Sequence, residues 1–153
     1  MSTWKDQWHR VERYYTRFKE MNDGVNTHGK HSDYYFDDML AFFQNCFHLR
    51  DWLVKDEFTS TKTLQSPCDY VVGNPSLAIC ADLANATKHM SIDPNRHPPK
   101  SGHEPTPAGR HMAVTGGSHI VKLTASIKHN NTLIDAFDLA TNCMKAWEAY
   151  LDN

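Results

Sequence analysis

The stretch DYYFDDMLAFFQNCFHLRDWLVKDE, residues 33–57, decides the fold of this chain. It is the longest segment that keeps apolar residues at helical spacing and contains neither glycine nor proline. A helix that lies on a surface needs only one apolar stripe, so two adjacent stripes predict a helix enclosed by other elements, at the centre of a bundle. The two stripes consist of Phe36, Leu40, Phe43, Phe47 and Val54, and of Met39, Phe42, Cys46, Leu49 and Leu53.

Length and charge narrow the class of protein. The chain has 153 residues and a formal net charge of -2 at pH 7. This length predicts a single domain over residues 1–153, and the small net charge provides no global field that would attract nucleic acid. Nucleic-acid binding would therefore need a local patch. The sequence contains neither a run of about 18 apolar residues nor the pattern of a signal peptide, which predicts a soluble protein that does not enter a membrane.

The cysteines and histidines do not form a recognisable metal motif. Three of the four cysteines, Cys46, Cys80 and Cys143, lie in apolar helical stripes, where a free thiol behaves as a small hydrophobic side chain. This usage favours a reducing, cytoplasmic location. The histidines between residues 89 and 119 are six to eight positions apart, which does not match a compact ligand set. We therefore predict neither a metal nor a cofactor.

Sequence signals predict where three further helices begin or end. Residues 2–21 carry an aromatic face, and Gly24 follows as a residue able to take the positive φ of a helix end. Asn74-Pro75 predicts another start, because the amide caps the helix and proline at the first position loses no hydrogen bond. Asp135 predicts the start of the last helix. Residues 58–66 are interpreted as a short helix or a connector, and the helix after Asn74 is expected to reach about Met90.

The region before the last helix has a different pattern. Residues 91–110 contain five prolines and two glycines, which predicts a long irregular loop. Residues 111–134 show alternating apolar and polar side chains on both sides of Gly116-Gly117, which is typical of a β-hairpin. The predicted fold is therefore mainly α, a bundle of four to five helices with a small β-hairpin insertion before the last helix.

Two polar sets interrupt the apolar helices. His48 and Asp51 are one turn apart, so the carboxylate can stabilise the imidazolium, as general acid–base chemistry requires. The sets would converge if the two helices packed side by side. Alternatively, each set is simply the solvent face of an amphipathic helix. The second set consists of Asp82, Asn85, Lys88 and His89.

The first helix offers a third candidate surface. Arg10, Arg13 and Arg17 lie on one side of it and form a ladder of guanidinium groups that is suited to phosphates. The alternative is a solvated helix face whose charge Glu12 and Glu20 partly neutralise.

The segment Asn85-Ala86-Thr87-Lys88-His89, together with the order of the helices, resembles the HEPN superfamily. These are compact helical bundles of bacterial toxin–antitoxin and antiviral systems, and many are dimeric RNases. Their signature is an arginine, a polar residue, a short spacer and a histidine. The chain also resembles, more closely, bacterial proteins of unassigned function that carry an aromatic-rich helix ending like FHLRDW at residues 47–52, followed by Asn-x-x-Lys-His.

One residue departs from the HEPN signature. Ala84 stands where the arginine is expected, so only Asn85 and His89 match the pattern. Arg50, on the neighbouring helix, is a candidate to supply the missing charge. Arg96 and His103 have the bare spacing of the signature, but two prolines lie between them, and we interpret that match as accidental.

The resemblance implies a homodimer that binds or cleaves RNA or a nucleotide in a bacterial defence or toxin–antitoxin setting, and a metal-independent endoribonuclease if it is an enzyme. Its candidate catalytic residues are His89, Asn85, His48 and Arg50, and its candidate phosphate-binding residues are Lys88, Arg10, Arg13 and Arg17. The alternative hypothesis is a non-catalytic interaction module that uses the long loop and the hairpin as a surface for a protein partner.

Overall fold

The computed structural model describes residues 1–26, 32–89, 93, 95–114 and 120–151. The fold is mainly α, as predicted, with strands inserted before the last helix. In this part of the chain, no helix is long and apolar enough to cross a bilayer. The elements in order are α1 (Trp4–Asp23), β1 (Val25–Asn26), α2 (Ser32–Lys55), α3 (Pro67–Gly73), α4 (Pro75–His89), β2 (Thr106–Val114), β3 (Ile120–His129), β4 (Thr132–Asp135) and α5 (Ala136–Tyr150).

Helix α2 lies at the centre and packs against α1, α3, α4 and α5. The rings of Phe42 and Phe43 lie edge-on to each other and to Phe18 of α1. The first stripe is buried only in part, because Val54 in the last turn is 49% exposed. The second stripe is completely buried, and it comprises Met39, Phe42, Cys46, Leu49 and Leu53.

The helix starts follow the capping signals in the sequence. Asn74 Oδ1 accepts a hydrogen bond from the Leu77 N–H at 3.1 Å, and Asp135 Oδ2 accepts one from the Asp138 N–H at 2.9 Å. These contacts satisfy backbone donors that a helix start otherwise leaves unpaired. Both predicted starts are confirmed. The first helix begins and ends two residues later than predicted, and the predicted end near Met90 lies outside the described residues.

Gly24 ends α1 in a conformation that few other residues adopt. Its φ is +117°, and its N–H donates to the Glu20 carbonyl at 2.8 Å. A Cβ at this position would meet Ile120 Cγ2 of β3 at 3.1 Å, so glycine also allows the sheet to approach the end of the helix.

The sheet is antiparallel and centred on β3. One edge of β3 pairs with β2 along its length, and the other edge pairs with β1 at one end and β4 at the other. The alternation predicted for β3 is confirmed, because one face is buried against α1 and α5. That face consists of Val121, Leu123, Ala125 and Ile127. The predicted turn at Gly116-Gly117 lies outside the described residues.

The structure decides one open alternative and corrects one boundary. Residues 58–66 form a connector rather than a helix. Ser60 is buried there and donates to the Tyr150 carbonyl, and the short helix α3 follows from Pro67.

The predicted end of the loop at residue 110 was wrong, because β2 begins at Thr106. The sheet accommodates Pro107 because β2 is an edge strand with a register shift between Pro107 and Gly109.

Candidate functional site

A cleft of about 800 Å³ lies between the C-terminal halves of α2 and α4 and is bordered by the loop around residues 93–100. The two polar sets of the sequence therefore border the same cleft. The side chains of His48, Lys88 and His89 are exposed, whereas Arg50 and Asn85 are half-buried. The cleft is large enough for a small molecule or for a few units of a polymer.

Small residues on α4 allow it to lie close to α2. Ala78, Ala81 and Ala84 are buried on this helix, and Cys80 Sγ donates to the Phe43 carbonyl of α2 at 3.3 Å. Side chains three or four positions apart on a helix share a face. The close packing therefore brings His48 of α2 and His89 of α4 to one cleft, although they are far apart in the chain.

Asp82 has a structural role in this cleft. Its side chain is buried, and it accepts hydrogen bonds from the Lys100 N–H at 2.9 Å and from the Ser101 N–H at 2.8 Å. The Ser101 hydroxyl adds a third bond at 2.5 Å. A buried carboxylate needs such donors, and here they fix the loop against α4. The sequence grouped Asp82 with Asn85 and His89, but it did not predict this role.

Phe47 forms an apolar part of the cleft wall between two cationic side chains. The Arg50 guanidinium lies 4.3 Å from the Phe47 ring centroid, and Lys100 Nζ lies 5.9 Å from it. Arg50 also donates to Asp51 Oδ1, at 3.0 Å from Nε and 2.7 Å from the terminal nitrogen. Arg50 is therefore partly neutralised, so it has less free charge than the sequence suggested.

The remaining cations of the cleft are not held in ion pairs with described residues. Lys88, Arg96 and Lys100 form no ion pair with any residue that the structure describes. The cleft also holds three histidines, including His97 of the loop. Its carboxylates are fewer, and two of them are engaged by Arg50 and by the loop. Unpaired ammonium and guanidinium groups around one cavity favour an anionic ligand. The carboxylates are those of Asp51, Asp82 and Asp93.

The arginine ladder of α1 lies apart from this cleft. None of Arg10, Arg13 and Arg17 is among the residues that line it. Arg10 donates to Gln7 Oε1 at 2.5 Å, and the Arg17 guanidinium lies 5.1 Å from the Tyr14 ring centroid. Two of the three guanidinium groups therefore have partners within their own helix.

The loop contributes side chains to the cleft that the sequence did not predict. Arg96, His97 and Lys100 line the cleft, and the only signal in the sequence was a group of basic residues among prolines. By contrast, His103 borders a separate cavity of about 340 Å³. Its ring also lies 5.9 Å from the ring of His129. Arg96 and His103 thus belong to different cavities, which agrees with our interpretation of their spacing as accidental.

Ala84, which stands where the HEPN signature has an arginine, lies on the cleft wall. Ala84 is only 5% exposed and borders the cavity, and Arg50 borders it from the neighbouring helix. No protein-family model, curated protein or solved structure matches this chain. The HEPN resemblance therefore stays a prediction.

Proposed function

We propose that the cleft between α2 and α4 binds the phosphate groups of RNA or of a nucleotide. One observation carries this proposal: the chain has a net charge of -2, yet one cavity is lined by cationic side chains of α4 and the loop that have no ion-pair partner among the described residues. Phosphate oxygens are the acceptors that arginine and lysine recognise best.

We further propose that the bound RNA is cleaved without a metal. His89 would act as the acid–base group, with His48 as its counterpart across the cleft, because histidine both accepts and donates protons near neutral pH. Asn85 would orient the phosphate, and Lys88 or Arg50 would stabilise the charge of the transition state. The bacterial defence or toxin–antitoxin setting and the homodimer rest on the HEPN resemblance alone.

A second candidate function is a non-catalytic interaction module. Two observations favour it: Arg50 is paired with Asp51, and Ala84 occupies the position of the arginine. In that case the loop and the edge strand β2 would contact a protein partner.

The test measures whether the protein binds and cleaves RNA in the presence of excess chelator. The substrates are a single-stranded RNA and a transfer RNA. We expect His89→Ala to lower the cleavage rate by about 100-fold or more, the usual contribution of acid–base catalysis. The melting temperature should hardly change, because the His89 side chain is exposed. His9→Ala is the matched control, since His9 is also an exposed helical histidine but lies outside the cleft.

The outcomes separate the hypotheses. Binding without cleavage by the parent protein would refute the nuclease proposal and leave the phosphate-binding cleft. Absence of both RNA binding and RNA cleavage would refute the proposed function as a whole and favour the interaction module. A large drop in melting temperature for His89→Ala alone would assign His89 a structural role.

A further inference from the structure

Three cysteines from three helices meet in the core. Cys46 of α2, Cys80 of α4 and Cys143 of α5 are each 0% exposed, and their Sγ atoms all lie within 4.8 Å of one another. Among the residues that the structure describes, this is the only group of three such side chains whose ligand atoms are close enough to share a metal ion. The fourth cysteine, Cys68, is exposed and lies outside the group.

Core packing alone does not account for this arrangement. A buried free cysteine normally acts as a small hydrophobic side chain, and alanine or serine fills a similar volume. Here, however, three different helices each direct a sulfur atom to the same point. Two of these thiols also donate to carbonyls, Cys80 to Phe43 at 3.3 Å and Cys143 to Ser76 at 3.4 Å. These bonds orient the side chains in the uncharged form.

We propose that Cys46, Cys80 and Cys143 form a binding site for a soft, three-coordinate ion, with trivalent arsenic as the best match. Thiol sulfur is the ligand that soft ions prefer. Bonds of about 2.3 Å to a shared ion would hold the sulfurs no more than about 4.0 Å apart. Trivalent arsenic is pyramidal because it keeps a lone pair, so its sulfurs lie closer together still. Starting from separations of at most 4.8 Å, each thiol therefore needs to move inward by no more than about 1 Å.

The charge of the complex selects the ion. The site is fully buried, and an uncompensated charge in such a place is very costly. Three thiolates leave a net negative charge around a monovalent or divalent ion, but they neutralise a trivalent one. Zinc has the further disadvantage that it prefers four ligands, and no fourth histidine, cysteine or carboxylate among the described residues belongs to the group.

Binding of arsenous acid balances without an oxidant or reductant. Three S–H bonds and three As–O bonds break, and three As–S bonds form. The three thiol protons leave with the hydroxyl groups as three water molecules. Because the three cysteines are fully buried, the ion must enter during a local opening of the bundle or during folding.

The test uses the full chain, reduced and refolded with one equivalent of arsenite, and then desalted. Native mass spectrometry counts the arsenic retained, and a thermal melt measures its effect on stability. We expect one arsenic per chain and a raised melting temperature for the parent protein and for Cys68→Ser, the matched control. We expect loss of retention in Cys46→Ala, Cys80→Ala and Cys143→Ala.

If the core variants fail to fold, arsenic retention by the parent protein and by Cys68→Ser still tests the proposal. Absence of retained arsenic in the refolded parent would overturn the proposal. Equal retention by the core variants would also overturn it, since binding would then lie elsewhere. Parallel samples with zinc and with copper(I) test the charge argument, and retention of either ion in place of arsenite would refute it.

Discussion

Asp82 lies on the side of α4 that faces the cleft, yet only 1% of it is exposed. Its carboxylate is satisfied by the backbone N–H groups of Lys100 and Ser101 and by the Ser101 hydroxyl. Ser101 Oγ is in turn 3.0 Å from His129 Nε2 of β3. A single residue of α4 is thereby connected to the loop and, through Ser101, to the sheet.

We expect Asp82→Ala to lower the free energy of unfolding by about 2–3 kcal/mol, because it leaves the Lys100 and Ser101 N–H groups without their charged acceptor. Urea denaturation measures the change. The control is Asp51→Ala, which removes an exposed ion pair with Arg50 and should cost less than about 1 kcal/mol. Equal losses in the two variants would show that Asp82 does not fix the loop.

At the level of elements, α2 serves both the core and the cleft. Its two apolar stripes occupy much of its circumference, so most of its polar residues share the remaining face. In the C-terminal half, this face carries His48 and Asp51 and points into the cleft beside α4. The position of the site is thus a consequence of how α2 packs.

The central position of α2 predicts a contrast between two substitutions on the same helix. Phe43 is 1% exposed, so Phe43→Ala should lower the free energy of unfolding by about 3–5 kcal/mol through lost burial and a cavity. Val54 is 49% exposed, and Val54→Ala should change the free energy of unfolding by no more than about 0.5 kcal/mol. Chemical denaturation of both variants provides the comparison. Similar stabilities would show that α2 is not the centre of the bundle.

For the whole molecule, the distribution of charge matters more than its sum. The net charge of -2 repels a polyanion weakly at long range, so an attraction must arise from a local group of cations, and we propose the group in the cleft. The chain offers a second group of cations, the arginine ladder of α1, which lies outside the cleft. The two groups can be tested against each other.

We expect binding of a single-stranded RNA to weaken between about 50 and about 200 mM salt, because binding to phosphates releases counterions. The double variant Lys88→Ala/Arg96→Ala should bind more weakly, and its log–log salt slope should be shallower by about 0.7 for each phosphate that is no longer neutralised. Fluorescence anisotropy measures both quantities.

The control for this measurement is Arg13→Ala/Arg17→Ala, which removes the same amount of positive charge from α1. It should bind almost as the parent protein does. If the α1 variant bound more weakly than the cleft variant, the phosphate site would belong to the arginine ladder.

The sequence by itself determined the central helix, the helix starts at Asn74 and Asp135, and the buried face of β3. These features depend on periodicity and on capping contacts between residues three or four positions apart, which the order of the residues already contains. The same periodicity placed Asn85 and His89 on one helix face. It also indicated that Cys46, Cys80 and Cys143 would be buried.

Only the tertiary structure decided which of these residues meet. The Lys100 N–H donates to Asp82, Arg96 lies in the same cleft as His48, and Cys46 meets Cys143. In each case the residues are distant in the chain. Such contacts depend on the angle and register at which helices pack and on the path of a loop that has no periodicity. Local patterns do not contain this information, because side chains that are far apart in the chain must first fill a common space.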